Sequence, residues 1–514
     1  MVKVDPPLEW RVLDVPVGID ASGERVEVDS MGTVTVPADR YWGAQTQRAL
    51  EHFAVGEDRM PLAVCRAYGY VKKAAALVNA GAGVLPAWKA DLIARVCDEV
   101  VAGHLDEHFP LRVWQSGSGT QTNMNVNEVI ANRCIQLVGG VLGSKTPIHP
   151  NDDVNLSQSS NDTFPTVMHL VTLREITQRL VPEVASLRDA VASKAHQWAD
   201  VVKVGRTHLQ DAVPLTVGQE WSGYAEQITQ AMARLTATIT ALCEIAAGAT
   251  AVGTGLNAPV GFGDQIAAEL ATLTGLPLVT APNKFAALGG LDAMVAASAG
   301  LRALAVPLMK IANDIRWAAS GPASGLSELV LPANEPGSSI MPGKVNPTQC
   351  EVMVMVCTQV LANDTAVAFA GSQGNFELNT MRPLVIDNVL RSARNLTDSV
   401  RMMRIWCIEG IELNRERIAS NVDRSLMLVT ALAPALGYDA AAAIAHSAQR
   451  SGMTLREAAI ASGIVNGEDF DRLTDLATMT TGTPPAPGPT TPEESSSLSR
   501  WESEGGGATR DLGT

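Results

Sequence analysis

Three runs of apolar residues, spaced at steps of three and four, constrain this chain more than anything else in it. Ile176, Leu180, Val184, Leu187, Val191, Ala195 and Trp198 form the first run. Ile228, Met232, Leu235, Ile239 and Leu242 form the second, and Leu301, Leu304, Leu308, Ile311 and Ile315 the third. Such steps stack side chains on one face of an α-helix, whereas a half-buried strand would alternate. Each run lasts several turns, so the middle of the chain is predicted to be a bundle of long helices sharing a core. Hydrophobic residues make up 46% of the chain but aromatics only 4%. The core must therefore be built mainly from Ala, Val, Leu, Ile and Met, which suits packed helices. Gly32–Pro37 alternates briefly and reads as a short strand, and no alternation of strands with helices suggests a parallel sheet. The expected fold class is all-α.

Residues 1–24 are mixed and carry paired prolines, 410–475 read as a smaller helical unit, and Pro, Gly, Ser, Thr and Glu dominate from about Thr480. That last stretch is expected to be a flexible tail. The net charge of -15 disfavours broad binding to nucleic acid or anionic membranes, which needs clustered Lys and Arg. It leaves small anionic substrates open, because a site needs only a few local donors. The seven cysteines are scattered and form no C-x-x-C pair, so reduced core thiols in a cytoplasm are expected. The acidic N-terminus has no apolar core of a signal peptide, and no apolar run approaches the roughly 18 residues of a membrane span.

Polar segments break the helical pattern at five places: Ser116–Asn123, His149–Asp152, Ser157–Asp162, Gly205–Asp211 and Gly337–Asn346. A Ser-, Thr- or Gly-rich segment that opens a helix offers free N–H groups and hydroxyls, which hold small anions. Any one of them, taken singly, reads first as an ordinary helix cap. Five together, with a Gly-Lys pair and a lone histidine, point to a dicarboxylate or phosphate site. Two further patterns read as decoys. His104-Leu-Asp-Glu107-His108 matches H-x-x-E-H and would put two histidines on one helical face, but no further metal ligand follows, so a solvated helix face is expected. Val252-Gly-Thr-Gly-Leu-Asn257 lacks the strand context of a nucleotide site.

The run Gly337-Ser-Ser-Ile-Met-Pro-Gly-Lys-Val-Asn-Pro347 resembles the signature of the aspartase/fumarase superfamily. Its continuation Thr348-Gln-Cys-Glu351 is similar to the class II fumarase form. So are Ser118-Gly-Thr-Gln-Thr-Asn-Met-Asn-Val-Asn-Glu128, Gly205-Arg-Thr-His-Leu-Gln-Asp211 and Asn375-Phe-Glu-Leu-Asn379. The resemblance runs from about Arg25 to about Leu476. It implies three domains, at residues 25–158, 159–412 and 413–480, between the 1–24 extension and the 481–514 tail. It implies a homotetramer with a 20-helix core, in which each active site draws on three subunits. It also implies a lyase of the tricarboxylic acid cycle, reversibly hydrating fumarate to (S)-malate, with no metal or organic cofactor.

In the malate direction a proton must leave the carbon beside a carboxylate, and fixed donors must meet the charge that develops. A second group must protonate the departing hydroxyl. The resemblance implies Ser338 as the carbon base, supported by Lys344 and loop N–H groups. It implies His208 as the second catalytic residue, acting through water, with Glu351 orienting it. Substrate contacts are implied at Ser118, Gly119, Thr120, Ser159, Ser160, Asn161, Thr207, Ser339, Lys344, Val345 and Asn346. A second dicarboxylate site is implied at His149, Pro150, Asn151 and Asp152. Singly these have plainer readings: Ser338 as a loop cap, His208 as a buried histidine, Lys344 and Glu351 as a structural ion pair.

The chain departs from the family pattern at four positions. Ala286, Leu291 and Ala323 stand where Glu, His and Arg are usual, and Leu156 stands in place of a lysine. These losses are expected to weaken intersubunit ion pairing and anion affinity at the second site. Malate or sulfate occupancy at His149 equal to that of ordinary relatives would contradict this. Two other readings stay open from the residues: an aspartate ammonia-lyase, and a catalytically silent member of the fold. Gly343 and Thr348–Glu351 favour water over ammonia, and the retained Ser338, His208, Lys344 and Asn346 argue against silence.

Overall fold

The structure, a computed structural model, describes residues 10–337 and 339–481. It begins with an antiparallel ribbon, β1 (Glu24–Asp29) and β2 (Gly32–Pro37). Helices α1 (Ala44–His52), α2 (Leu62–Gly81), α3 (Ala87–Val101) and α4 (Thr120–Leu137) follow. Next, α5 (Ser160–Glu175) passes through a π-helical turn, Ile176–Leu180, into α6 (Val181–Gln197). A hairpin, β3 (Val202–Thr207) and β4 (Gln210–Thr216), precedes α7 (Val217–Ile239), α8 (Phe262–Thr274), α9 (Lys284–Gly289) and α10 (Asp292–Ala318). Then come α11 (Thr348–Gly371), α12 (Arg382–Met403) and six further helices between Arg415 and Thr481.

The chain divides into two compact units. One takes the described parts of Met1–Arg188, Glu226–Asp314 and Asn346–Glu409; the other takes those of Asp189–Ala225, Ile315–Val345 and Gly410–Thr514.

The three stripes are buried as their spacing requires, except for Met232, which is half-buried. In the first unit α11 packs along α12. Cys350, Met353, Cys357, Val360 and Val367 meet the level of Ile386, Val389, Ala393, Leu396 and Val400, all at most 1% exposed. Burying each large aliphatic side chain contributes about 1.5–3 kcal/mol. A polar pair inside this seam, Asn363 Nδ2 to Ser392 Oγ at 2.9 Å, satisfies both groups and fixes the register. In the second unit Trp198 meets Trp221 edge to face at 4.8 Å, and Leu432, Ile444, Leu455, Ala459 and Phe470 form a separate small core.

Three expectations need correction. The fold is mostly helical but not purely so: five two-stranded ribbons occur among the described residues, of which the sequence pattern gave only β2. Two helices, α10 and α11, are long and apolar enough by length and composition to cross a membrane. Counting unbroken apolar runs misses them, because short polar breaks such as Thr358-Gln359, Asn363-Asp364-Thr365 and Asn313-Asp314 interrupt an otherwise apolar stretch. Finally, His104 and His108 do not share a helical face. Helix α3 ends at Val101, His104 is exposed, and His108 closes a short 3-10 turn in the interior. Its Nδ1 accepts the Tyr41 N–H at 3.2 Å, and burial pushes its pKa down to about 4. It is a satisfied core histidine rather than part of a solvated face. No metal-binding cluster occurs among the described residues. All seven cysteines are free, six of them buried. The tail after Thr481 lies outside the described residues.

Candidate active site

In the first unit two helix starts meet. Gly119 caps α4 in the left-handed region (φ 77°), where a Cβ would stand 2.0 Å from the Phe164 ring. Only glycine fits, and its smallness lets Ser118 and Thr120 approach α5. A hydroxyl chain results: Ser116 Oγ to Ser118 Oγ at 3.2 Å, Ser118 Oγ to Thr120 Oγ1 at 2.8 Å, and Thr120 Oγ1 to Ser160 Oγ at 2.7 Å. Ser159 caps α5 by accepting the Asn161 N–H, and Asp162 completes a capping box by accepting the Ser159 N–H at 2.9 Å. Asn161 Nδ2 donates to the Ala251 carbonyl at 2.8 Å. Hydroxyls and helix N-termini turned together in this way suit a carboxylate.

Residues outside the sequence-derived set hold this cluster. Pro165 has no N–H, so the Asn161 carbonyl loses its partner within α5. The buried Arg382 guanidinium donates to that carbonyl at 2.7 Å and to the Leu288 carbonyl at 3.0 Å. Asp162 also accepts the N–H groups of Gly248 and Thr250 at 3.0 and 2.9 Å. Burial raises its pKa to about 6, although these N–H bonds and the Lys72 charge favour the carboxylate. Lys284 Nζ donates to the Ile245 and Ala247 carbonyls, bracing the loop that presents Gly248. Lys72 is fully buried and donates to Asn123 Oδ1, Asn155 Oδ1 and Gln158 Oε1 at 2.7–3.1 Å. Burial pushes its pKa down to about 7 against the pull of Asp162. A proline five residues into Ser160–Glu175 was the available signal for Arg382. Nothing local marked Lys72, whose partners lie 51–86 residues away.

Glu128, from the same motif as Ser118, caps a different helix. Its carboxylate accepts the N–H groups of Gly43, Gln45 and Thr46 and the Thr46 hydroxyl, at 2.6–3.1 Å. Gly43 itself provides no side-chain cap for α1. Burial raises the Glu128 pKa to about 7.

The implied second site opens a single π-helical turn, Pro150–Val154. His149 Nδ1 accepts the Asn151 and Asp152 N–H groups, both at 3.1 Å, which leaves Nε2 as the ring's N–H. The His149 N–H donates to Asp153, whose carboxylate also pairs with Lys89 at 2.8 Å. Asn151 and Asp152 are exposed and Pro150 is buried. Leu156 is half-buried, and its carbonyl accepts from Asn79 and Gln158.

In the second unit, Gly205–Asp211 is no helix start. It is the β3–β4 hairpin, and His208 and Leu209 are its two turn residues, both left-handed at φ 57° and 60°. Turns of this hand match strand twist but normally use Asn or Gly, so His208-Leu209 carries no turn signal. Thr207 and His208 are exposed at the tip. Behind them Arg206 forks onto Glu328 at 2.6 and 3.0 Å, and Lys203 reaches Glu328 at 3.1 Å. Burial alone would raise Glu328, but the Arg206 bonds and both cations outweigh it and hold the pKa below the usual value. A cavity of about 620 Å³ beside the turn is walled by Arg206, Leu209, Trp317 and the 320–326 loop.

The signature loop folds back on itself, with Gly337 bridging Pro342 and the Lys344 N–H donating to the Met341 carbonyl. Ser339, Lys344 and Val345 are exposed, and Asn346 is half-buried. Ser338 lies outside the described residues. Glu351 is exposed in the first turn of α11, in the first unit. Of the departures, Ala286 and Ala323 are exposed and Leu291 is buried.

Comparison with known proteins adds to this geometry. A family model described as "Lyase" matches residues 32–362, and one described as "Fumarase C C-terminus" matches residues 428–481. The chain is 64% identical over 468 residues to the class II fumarate hydratase of Methanosarcina acetivorans, covering 91% of this chain and 97% of that one. It is 56% identical to the mitochondrial fumarate hydratase of Danio rerio, covering 87% and 88%. The crystal structure of a class II fumarase from Schistosoma mansoni superposes with a TM-score of 0.87 at 44% identity, covering 90% and 100%.

Proposed function

We propose a residue-level mechanism from one premise: the chain belongs to the class II fumarate hydratases of the lyase family. It is a hydro-lyase that interconverts fumarate and malate. In the malate direction, the Ser338 oxygen takes a proton from the carbon beside a carboxylate, leaving an aci-carboxylate. Lys344 and N–H groups of the 337–346 loop stabilise both the serine alkoxide and that developing charge. The carbon–oxygen bond then breaks, the electron pair leaves with the hydroxyl, and a water polarised by His208 supplies the proton. Fumarate and water result, and hydration is the reverse from the opposite substrate. Glu351 orients His208.

The single observation that carries the binding half is the hydroxyl chain from Ser118 through Thr120 to Ser160. One substrate carboxylate accepts from these hydroxyls and from Asn161, with Gly119 and Ser159 shaping the turn beneath it. Thr207, Ser339, Val345 and Asn346 line the other side. The His149–Asp152 turn takes a second dicarboxylate through His149 Nε2 and the exposed Asn151.

The working form proposed is a homotetramer, with the Ser118–Asn161 cluster, the His208 hairpin and the 337–351 segment supplied by three subunits. The domain division at 25–158, 159–412 and 413–480 belongs to the same reading. Two features support it. The His208 tip is exposed, and the outer face of α11 leaves Val352, Met355 and Phe369 in solvent (38%, 63% and 68% exposed), opposite the face that packs on α12. An exposed apolar stripe of this length suits association with further helices.

Mixing two inactive variants tests this. Ser338→Ala and His208→Asn, each purified, are expected to form fumarate from malate at least about a hundredfold more slowly than the wild type, read by ultraviolet absorbance. Coexpressed, they are expected to recover activity, because some sites then draw both intact residues from different chains. Failure to recover would exclude a shared site, and full activity of Ser338→Ala alone would remove Ser338 as base. Fumarate formed from L-aspartate in the parallel assay would identify an ammonia-lyase.

A further inference from the structure

Away from the hydroxyl cluster, the groove bordered by α2, α5 and α12 holds a cavity of about 420 Å³. One wall is apolar, with Ala67, Val101, Leu170 and Val171. The other carries four guanidiniums, those of Arg66, Arg174, Arg179 and Arg394, around the nearly buried carboxylate of Glu175. The helix widens here into its π turn, Ile176–Leu180, a rare departure often found at functional sites.

The four cations are unequally paired. Arg66 forks onto Asp106, and Arg179 holds Glu175 at 2.6 Å. Arg394 faces Glu175 only at 3.6 Å, too long for a hydrogen bond, and its buried Nε has no hydrogen-bond partner among the described residues. Arg174 pairs with no carboxylate among the described residues. Its Nε donates to Gln178 at 3.0 Å, and its guanidinium lies against the Tyr70 ring and hydroxyl. Along the cavity wall four positive charges thus meet the two negative charges of Asp106 and Glu175; Asp387, which also attracts Arg394, is itself paired with Arg391 at 3.1 Å. An orphaned donor and an excess of two charges in one cavity call for a dianion. Guanidinium forks match phosphate oxygens in geometry as well as charge. The apolar wall calls for a body attached to that phosphate, and the volume is within the range of small-ligand sites.

We propose that this cavity binds a small organic phosphate, its oxygens held by Arg174 and Arg394 and its apolar or aromatic body against Leu170 and Val171. The site lies fourteen residues along α5 and its first turns from Ser160, roughly 20 Å at helical rise. It is therefore separate from the malate site.

Calorimetric titration of the full-length protein, with malate saturating the catalytic site, tests the proposal. Phenyl phosphate and adenosine monophosphate are the organic probes and inorganic phosphate the bare one. Phenyl phosphate is expected to bind once per chain and at least tenfold more tightly than inorganic phosphate. Arg174→Gln and Arg394→Gln are each expected to weaken it at least tenfold, while Arg472→Gln, at an exposed residue elsewhere, leaves it unchanged. Arg174 is exposed, so its variant is expected to keep wild-type melting temperature and malate turnover. Turnover in each sample separates loss of this site from failure of the hydratase reading. No saturable binding to the wild type, or equal affinity in Arg174→Gln and Arg472→Gln, would overturn the site. Equal affinity for inorganic and phenyl phosphate would overturn the apolar half. Tighter binding of adenosine monophosphate than of phenyl phosphate would support an organic phosphate with a nucleoside body.

Discussion

The Thr120 and Ser160 hydroxyls lie 2.7 Å apart although forty residues separate them in the chain. Their bond joins the first turns of α4 and α5, so the loss of either hydroxyl removes both a proposed substrate donor and the link that aims its neighbour. Thr120→Val keeps the shape without the donor. It is expected to raise KM for malate tenfold or more, from the roughly 1.5–3 kcal/mol of a hydrogen bond to a charged group, with a smaller effect on kcat. Steady-state kinetics would check this, and an unchanged KM would remove the hydroxyl chain from the binding site.

His208 occupies a left-handed turn that most side chains adopt poorly. A variant must therefore separate chemistry from backbone strain. Asparagine tolerates this conformation, so His208→Asn is expected to melt with the wild type while kcat falls by roughly 10²–10⁴-fold, the usual contribution of an acid–base group. His208→Val is expected to lose stability as well. Circular dichroism melts beside turnover would show whether the two effects separate.

Glu128 predicts a pH signature in stability. Its folded pKa of about 7 lies above the ordinary 4.5 of a glutamate, so the folded chain holds a proton that the unfolded chain releases. The stabilising contribution is complete below about pH 4.5 and is lost as pH rises through 7. Glu128→Gln keeps an acceptor for the start of α1 but cannot ionise. Between pH 4.5 and 7 the variant is expected to gain on the wild type by up to about 1.4 kcal/mol per pH unit. Denaturant titrations across that range would measure it, and parallel curves would refute a buried protonated Glu128.

The outer face of α11 predicts an assembly defect. Met355→Asp with Phe369→Asp puts two charges on a face proposed to meet other helices, away from the α12 seam. The double variant is expected to elute as a smaller species in light scattering, with far-ultraviolet dichroism retained and malate turnover lost. An unchanged mass would mean that this face is not an interface.

The sequence was most legible where local chemistry decides structure. The capping residues of α5 and the glycine before α4 mark helix starts within a few residues of where they occur. The stripes from Ile176 to Trp198 and from Leu301 to Ile315 mark the buried faces. The His208 hairpin was hidden because its turn carries neither Asn nor Gly, and its strands alternate too briefly between long helices. The spacing of four between His104 and His108 predicts one helical face, whereas Gly103 (φ 84°) ends the helical run before His108. Lys72 and Glu128 read as single polar breaks in apolar helices. Their partners come from distant segments, so no local pattern could identify them.

Pro165 gives up one internal bond of α5, and a side chain 221 residues away from Asn161 replaces it. During synthesis, then, the segment that opens α5 emerges long before the arginine that completes it. A fragment ending ahead of Arg382 would carry Ser118, Thr120 and Ser160 intact yet present them on an unfinished turn. The hydroxyl cluster is therefore completed only by a residue from the C-terminal third of the chain.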